Sequence, residues 1–320
     1  MHENRTTILV TGASGFVGRP LVAALARSGY AVRAATRNKP ASFPANVKHV
    51  VVPDFTKPVD WDAMVRGAEI VIHAAGLAHA DTSEIPEAHF DRVNRSTTQE
   101  LCDAAARAGV TRLLFISSVR AQVGPSAPHP LRETDEPRPT DAYGRSKLAA
   151  EAAVRASGVP FTILRPVVIY GRNARANFRA LVRLASLPLP LPFAGLTNRR
   201  SLLGVDNLIS VVLFTLANPA TADETFLVAD PRPATIEEIF TMLRHAQGRR
   251  PGLIHVPPNV IRLGLTAVGC GPLWQRVGGE LVVDTGKLEA AGWHAPVDTY
   301  RGLAESLPQR RTPAIPQVAG

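Results

Sequence analysis

Two cysteines, Cys102 and Cys270, are all that 320 residues contain, and they lie far apart. No disulfide framework, CxxC redox pair or thiolate metal cluster can be built from them, so the expectation is buried thiols, no metal, and a reducing cytoplasm. Lysine is almost as scarce, with five (Lys39, Lys48, Lys57, Lys147, Lys287) among 36 basic residues. The net charge of +9 therefore rests on arginine. The arginines are scattered and not interleaved with aromatics, which argues against nucleic acid and for anionic small molecules as partners. Long apolar runs are also missing. Val256 to Leu273 comes nearest, but Arg262, three prolines and several glycines interrupt it, so it does not span a membrane and leaves only an interfacial contact open. The start, Met1-His2-Glu3-Asn4-Arg5, is polar and gives way at once to a strand pattern, so no signal peptide is expected.

What is present centres on Thr11-Gly12-Ala13-Ser14-Gly15-Phe16-Val17-Gly18, between Ile8-Leu9-Val10 and Leu21-Val22-Ala23-Ala24-Leu25-Ala26. A β-branched strand, a glycine turn and an amphipathic helix form the first unit of a dinucleotide-binding fold, in which the helix N-terminus offers free N–H groups to a pyrophosphate. Gly12 is expected to allow the tight turn, Gly15 the approach of the phosphates, and Gly18 close packing of helix on strand. Ser14, Phe16 and Val17 belong to the same cradle.

Strand and helix patterns then alternate: Ala31–Ala35, Val47–Val52, Ile70–Ile72, Leu113–Ile116 and Phe161–Leu164 read as strands two to six, with a helix over about 87–108 before the fifth. The pattern implies a doubly wound parallel α/β sheet of the Rossmann type. At the end of strand two the residues are Thr36-Arg37-Asn38, with no acid for a ribose 2′-OH. Arg37 suits the 2′-phosphate, so NADP(H) is favoured over NAD(H). Asp54 is placed at the adenine edge, and Ala74-Ala75-Gly76 lets the chain lie against the cofactor. His73 and His79 flank that turn and receive no chemical role.

Ser117-Ser118 closes strand five, and 25 residues beyond Ser118 comes Tyr143-Gly144-Arg145-Ser146-Lys147. Tyr143 and Lys147 share a helix face. An ammonium beside a phenol lowers its pKa from about 10, making the tyrosine an acid/base, while Ser118 holds the substrate oxygen. On residues 11–18, Ser118, Tyr143 to Lys147 and Leu164-Arg165-Pro166-Val167-Val168-Ile169-Tyr170-Gly171, the chain resembles the extended short-chain dehydrogenase/reductase family. Within it the likeness is to the UDP-hexose 4-epimerase-like branch and its 4-keto-6-deoxy sugar reductases, and runs to Leu288-Glu289-Ala290-Ala291-Gly292-Trp293.

The resemblance implies Ser118, Tyr143 and Lys147 as the catalytic set, with Lys147 also on the nicotinamide ribose and Pro166 and Val168 beside the cofactor. It implies a division into a dinucleotide-binding domain, 1–171, and a smaller substrate-binding part, 172–320, some segments of which return to the core. There Asn177, Arg200 and Arg276 match positions that hold a UDP diphosphate. The acid expected three residues after Arg276 is Gly279, with Asp284 conceivable as a stand-in. A homodimer through the helices near 87–108 and 141–157 is implied as well. The expected activity is redox chemistry at C4 of a UDP-hexose, by a 4-keto reductase or a 4-epimerase. The alternatives are a reductase of a non-nucleotide carbonyl and a non-catalytic cofactor-binding scaffold. A sugar 4,6-dehydratase is disfavoured, because Val119-Arg120 follows Ser118 where that elimination needs an acidic pair.

Overall fold

Alternate residues of the first strand serve opposite layers, and this fixes the architecture. In β1 (Thr7–Thr11), Ile8 and Val10 enter one apolar cluster and Leu9 the other, all three fully buried. The computed structural model describes residues 5–38, 43–77, 85–172, 174, 177–267, 269, 271, 274 and 277–307. After β1 come α1 (Gly18–Arg27), β2 (Ala31–Thr36), β3 (Val47–Val51), α2 (Trp61–Val65) and β4 (Ile70–His73). Next are α3 (Glu87–Phe90), α4 (Thr97–Arg107), β5 (Arg112–Ile116), α5 (Ala142–Ala156) and β6 (Phe161–Pro166).

The single helix expected before β5 is interrupted. Asp91–Ser96, between α3 and α4, is a π-helical turn. The wider turn sets Asn94 inward at 2% exposure, and such turns often mark functional sites.

Beyond β6 the chain forms β7 (Val168–Tyr170), α6 (Asn177–Ala185), β8 (Leu191–Ala194), β9 (Arg199–Arg200) and β10 (Leu202–Gly204). Then follow α7 (Val205–Ala217), β11 (Glu224–Val228), β12 (Ala234–Thr235), α8 (Ile236–Ala246), β13 (Leu253–His255) and α9 (Pro258–Ala267). β11 pairs in parallel with β6 and completes a seven-stranded parallel sheet of order β11-β6-β5-β4-β1-β2-β3. This strand was not among those expected. Leu203, the α7 residues Val205, Leu208, Ile209, Val211 and Val212, and the buried Trp293 also pack on the sheet side with Ile8 and Val10.

The remaining C-terminal elements enclose a third cluster, with Phe178, Phe193, Phe240 and Ile261 among its members. It is tied to the sheet at Tyr170, whose phenol donates to Asp230 Oδ2 at 2.7 Å. Asp230 Oδ1 accepts from the Gly204 N–H and from Asn207 Nδ2 at 2.9 and 2.6 Å. Burial pushes both the carboxyl and the phenol above their ordinary pKa values.

Candidate active site

The C-terminal ends of the parallel strands meet above the glycine loop, where a doubly wound sheet forms its ligand crevice. Gly12 has φ +68°, and a Cβ there would lie 2.8 Å from Ala74 O and Ala75 N; at Gly18 it would lie 2.1 Å from Gly12 O. The loop is therefore pinched between the end of β4 and the start of α1, and side chains are excluded at both points. Val17, before α1, makes no capping side-chain hydrogen bond, leaving the helix N-terminus to an anion. Phe16 reaches across to Gly171, where an added Cβ would lie 3.4 Å from its ring. A loop so shaped fits a dinucleotide pyrophosphate.

Ser118 and Tyr143 are brought together. Burial raises the phenol above its ordinary pKa, while hydrogen bonding from Ser118 and the charge of Arg120 offset part of that rise. Ser118 Oγ also accepts the Arg120 N–H at 3.1 Å. Lys147, 4% exposed, donates from Nζ to Ile116 O at 2.8 Å and lies over the Phe115 ring. Its Nζ is 3.9 Å from the position of a Cβ on Gly76, so the lysine reaches the turn after β4. One expectation needs correcting. The phenol stands above its ordinary value, not below it, and burial pushes Lys147 itself to about 7, which weakens the charge it offers.

His73 is buried, with Nδ1 2.6 Å from Thr11 Oγ1 and Nε2 3.0 Å from Thr98 Oγ1. Desolvation first, then Lys147, pulls its pKa to about 3, and the neutral ring cross-links β1, β4 and α4. His79 lies outside the described residues.

At the far end of the crevice Arg37 and Asp54 meet, Nη1 to Oδ2 at 3.1 Å, both well exposed. Asp54 is held chiefly by the Thr56 N–H and hydroxyl, which lower its pKa. The two residues assigned to the adenosine end are thus partners of each other. Pro166 ends β6, opposite Val228, and Val168 begins β7 beside Leu202.

Among the substrate candidates, Arg200 donates to Gly279 O at 2.7 Å and Pro125 O at 2.8 Å. Burial, then the charge of Arg120, lowers it to about 10. Arg120, whose charge also bears on Tyr143, therefore lies near Arg200. Asn177 opens α6, and Arg276 lies outside the described residues. Asp284 does not stand in for the acid missing at Gly279; its carboxylate takes Arg132 at 3.0 Å and the Gly286 N–H at 2.8 Å.

Three groups escaped the sequence reading. Asn94 Oδ1 accepts the Leu77 N–H at 2.8 Å, and Nδ2 donates to Ser146 Oγ at 2.9 Å, which holds the turn after β4 against α5. Asp141 caps α5 by accepting the Gly144 N–H at 2.7 Å, and its other oxygen takes Arg120 Nη2 at 2.5 Å. Glu151, one turn beyond Lys147, pairs with Arg165 and accepts from Ser117 Oγ. The four-residue step from Lys147 to Glu151 was a signal available in the sequence. Among the described residues no group of three or more His, Cys, Asp or Glu could hold a metal ion.

Residues 8–229 match the NAD dependent epimerase/dehydratase family. The chain is 32% identical over 310 residues to a UDP-glucose 4-epimerase of Vibrio cholerae, with 94% of each chain covered. It is also 32% identical over 265 residues to a ceramide reductase of Caulobacter vibrioides, covering 82% of this chain and 77% of that protein. Among solved structures it is similar to MoeE5 in complex with UDP-glucuronic acid and NAD, with TM-score 0.75, 25% identity and coverage of 94% and 97%.

Proposed function

Because the chain belongs to the NAD-dependent epimerase/dehydratase family of extended short-chain dehydrogenase/reductase enzymes, we propose that it carries out NAD(P)-dependent redox chemistry at C4 of a UDP-hexose. The observation that carries this reading is the hydrogen bond between Ser118 and Tyr143, with the buried Lys147 one turn further along α5. A bound nicotinamide supplies the hydride acceptor or donor. Tyr143 takes or gives the proton at the sugar O4, and Ser118 holds that oxygen. In this reading Lys147 holds the nicotinamide ribose and the glycine loop the pyrophosphate. Arg200 meets the diphosphate of the sugar, for which a guanidinium fork is suited.

Of the two outcomes we place reduction of a 4-keto sugar first, since Thr36-Arg37 without an acid suits a dissociable NADPH. The likeness to an epimerase supports the other outcome. The likeness to a ceramide reductase favours a second reading, reduction of an unlinked or lipid ketone.

The test supplies UDP-GlcNAc, UDP-glucose, a UDP-4-keto-6-deoxy sugar and an unlinked ketone separately, with NADPH and without added cofactor. Stoichiometric NADPH oxidation by the keto sugar alone is the expected result. Epimerisation without added cofactor would replace the reductase with an epimerase, and activity on the unlinked ketone alone would remove the sugar nucleotide. Tyr143→Phe should abolish turnover while cofactor binding persists. We assign α4 and α5 to a homodimer interface, which light scattering at micromolar concentration tests.

A further inference from the structure

Five of the six large apolar side chains exposed among the described residues lie in one part of the chain. Leu187 and Leu189 precede β8, Ile254 is on β13, and Val260 and Leu263 are on α9; Leu263 is 71% exposed and Val51, on the sheet edge, is the sixth. These segments are joined. Leu191 donates its N–H to Gly252 O, and the buried Arg244 guanidinium donates to the carbonyls of Leu187, Leu189, Pro251 and Gly252. In α9 only Ile261 is buried, with Leu265 partly so. Val260 and Leu263, three apart, therefore share a face that no described residue covers.

The stretches that build this patch carry charge of one sign, and the carboxylate at their edge, Glu237, is engaged by the Gly195 N–H at 2.8 Å. No Asp or Glu occurs between Glu151 and Asp206, nor between Glu238 and Glu280, the two stretches that build the patch. Arg179, Arg183, Arg250 and Arg262 are exposed there. Among the described residues none of the four stands within ion-pair distance of a carboxylate, whereas many arginines of the sheet domain do. Scattered exposed aliphatics are ordinary on a protein surface; aliphatics gathered on a nearly free helix and ringed by unpaired guanidiniums are not.

We propose that this face docks on an anionic lipid surface, with α9 lying in the interface, Val260 and Leu263 among the acyl chains, and the arginines at the headgroup phosphates. That is the chemistry of an interfacial amphipathic helix. A second copy of the chain is a poor occupant, because two-fold pairing of this face sets guanidinium against guanidinium. α9 stands out from its neighbours with one residue rooted, and such a ridge suits insertion into a plane. The docking does not depend on which carbonyl the crevice reduces.

The test is sedimentation of the full-length protein with vesicles of phosphatidylcholine alone and of phosphatidylcholine mixed with phosphatidylglycerol. Binding to the mixed vesicles is expected, at least about tenfold weaker to the neutral ones, and falling as salt is raised. Val260→Asp with Leu263→Asp, and separately Arg250→Glu with Arg262→Glu, should each weaken binding about tenfold or more, with the melting temperature and light-scattering mass unchanged. If the aspartate pair fails to fold, the charge reversal alone decides. As the control for general basic adsorption, Arg27→Glu with Arg66→Glu on the sheet domain should leave binding near that of the unaltered protein. The proposal is overturned if mixed vesicles do not bind, which leaves the patch to a protein partner. It is overturned equally if the control reversal weakens binding as much as the patch reversal, or if the patch variants change the mass of the protein and leave vesicle binding intact.

Discussion

Arg165 forks onto Glu151, Nε to Oε1 at 2.9 Å and Nη2 to Oε2 at 2.6 Å, with both side chains almost wholly buried. The pair lies one turn beyond Lys147 and behind Ser117, so it braces the catalytic helix against the end of β6. Without Arg165 the buried Glu151 carboxylate keeps only the half-exposed Arg155, at 3.1 Å, and Ser117 as partners. Arg165→Met should therefore destabilise the protein by about 2–4 kcal/mol, and Glu151→Leu added to it should restore part of that loss. Urea unfolding of the single and double variants measures both. A double variant less stable than either single one would contradict the pairing.

Acid should weaken the fold through two buried groups of opposite kind. His73 is held neutral with a pKa near 3, below the unfolded value of about 6.5. Between those values the unfolded chain binds more protons, so stability falls as pH drops from about 6.5 toward 3. Hydrogen bonds from Arg165 and Ser117 hold the Glu151 pKa below its ordinary value against desolvation, so its contribution is present above about pH 4.5 and is lost as pH falls further. Melting temperatures across this range should show both losses, and His73→Gln should flatten the segment between about pH 5 and 6.5. An unchanged slope would assign that segment to other groups.

Arg37→Ala should weaken NADPH more than NADH, by about 1.5–3 kcal/mol, if its guanidinium leaves Asp54 for a 2′-phosphate. Asp54→Asn frees Arg37 and should shift the ratio of the two affinities toward NADPH. Titration of both cofactors against both variants supplies the numbers. Equal losses for NADH and NADPH would remove Arg37 from cofactor choice.

Arg200→Ala should raise KM for a UDP-sugar steeply while leaving NADPH affinity unchanged. Because the same guanidinium ties Gly279 O and Pro125 O, a modest fall in melting temperature is expected as well. Arg200→Lys keeps the charge and loses the fork, so it should recover part of the KM effect. An unaltered KM in the alanine variant would leave Arg200 a purely structural tie.

Much of this protein could be read from the chain because its rules act locally. A glycine loop between a strand and a helix, apolar runs bounded by turns, and a tyrosine four residues before a lysine each declare themselves within a few positions. The six strands read from the sequence all lie in the sheet, and Gly12 and Gly18 sit where no other residue fits. β11 was not legible, because a five-residue run after α7 and a short turn carries no mark of the distant strand it will join.

Side-chain electrostatics were settled by distance and burial across the fold. Spacing set Lys147 beside Tyr143, but only the packed structure buried its ammonium over Phe115 and drew its pKa down to about 7. Arg37 and Asp54 were each identified as facing a ligand, and only the approach of β2 to β3 made them partners of each other. The sequence alone determined the cradle and the reactive residue types, since backbone sterics and helical period depend on near neighbours. The tertiary structure alone decided which charges are masked, shared or left bare, since that depends on what the fold brings within a few ångströms.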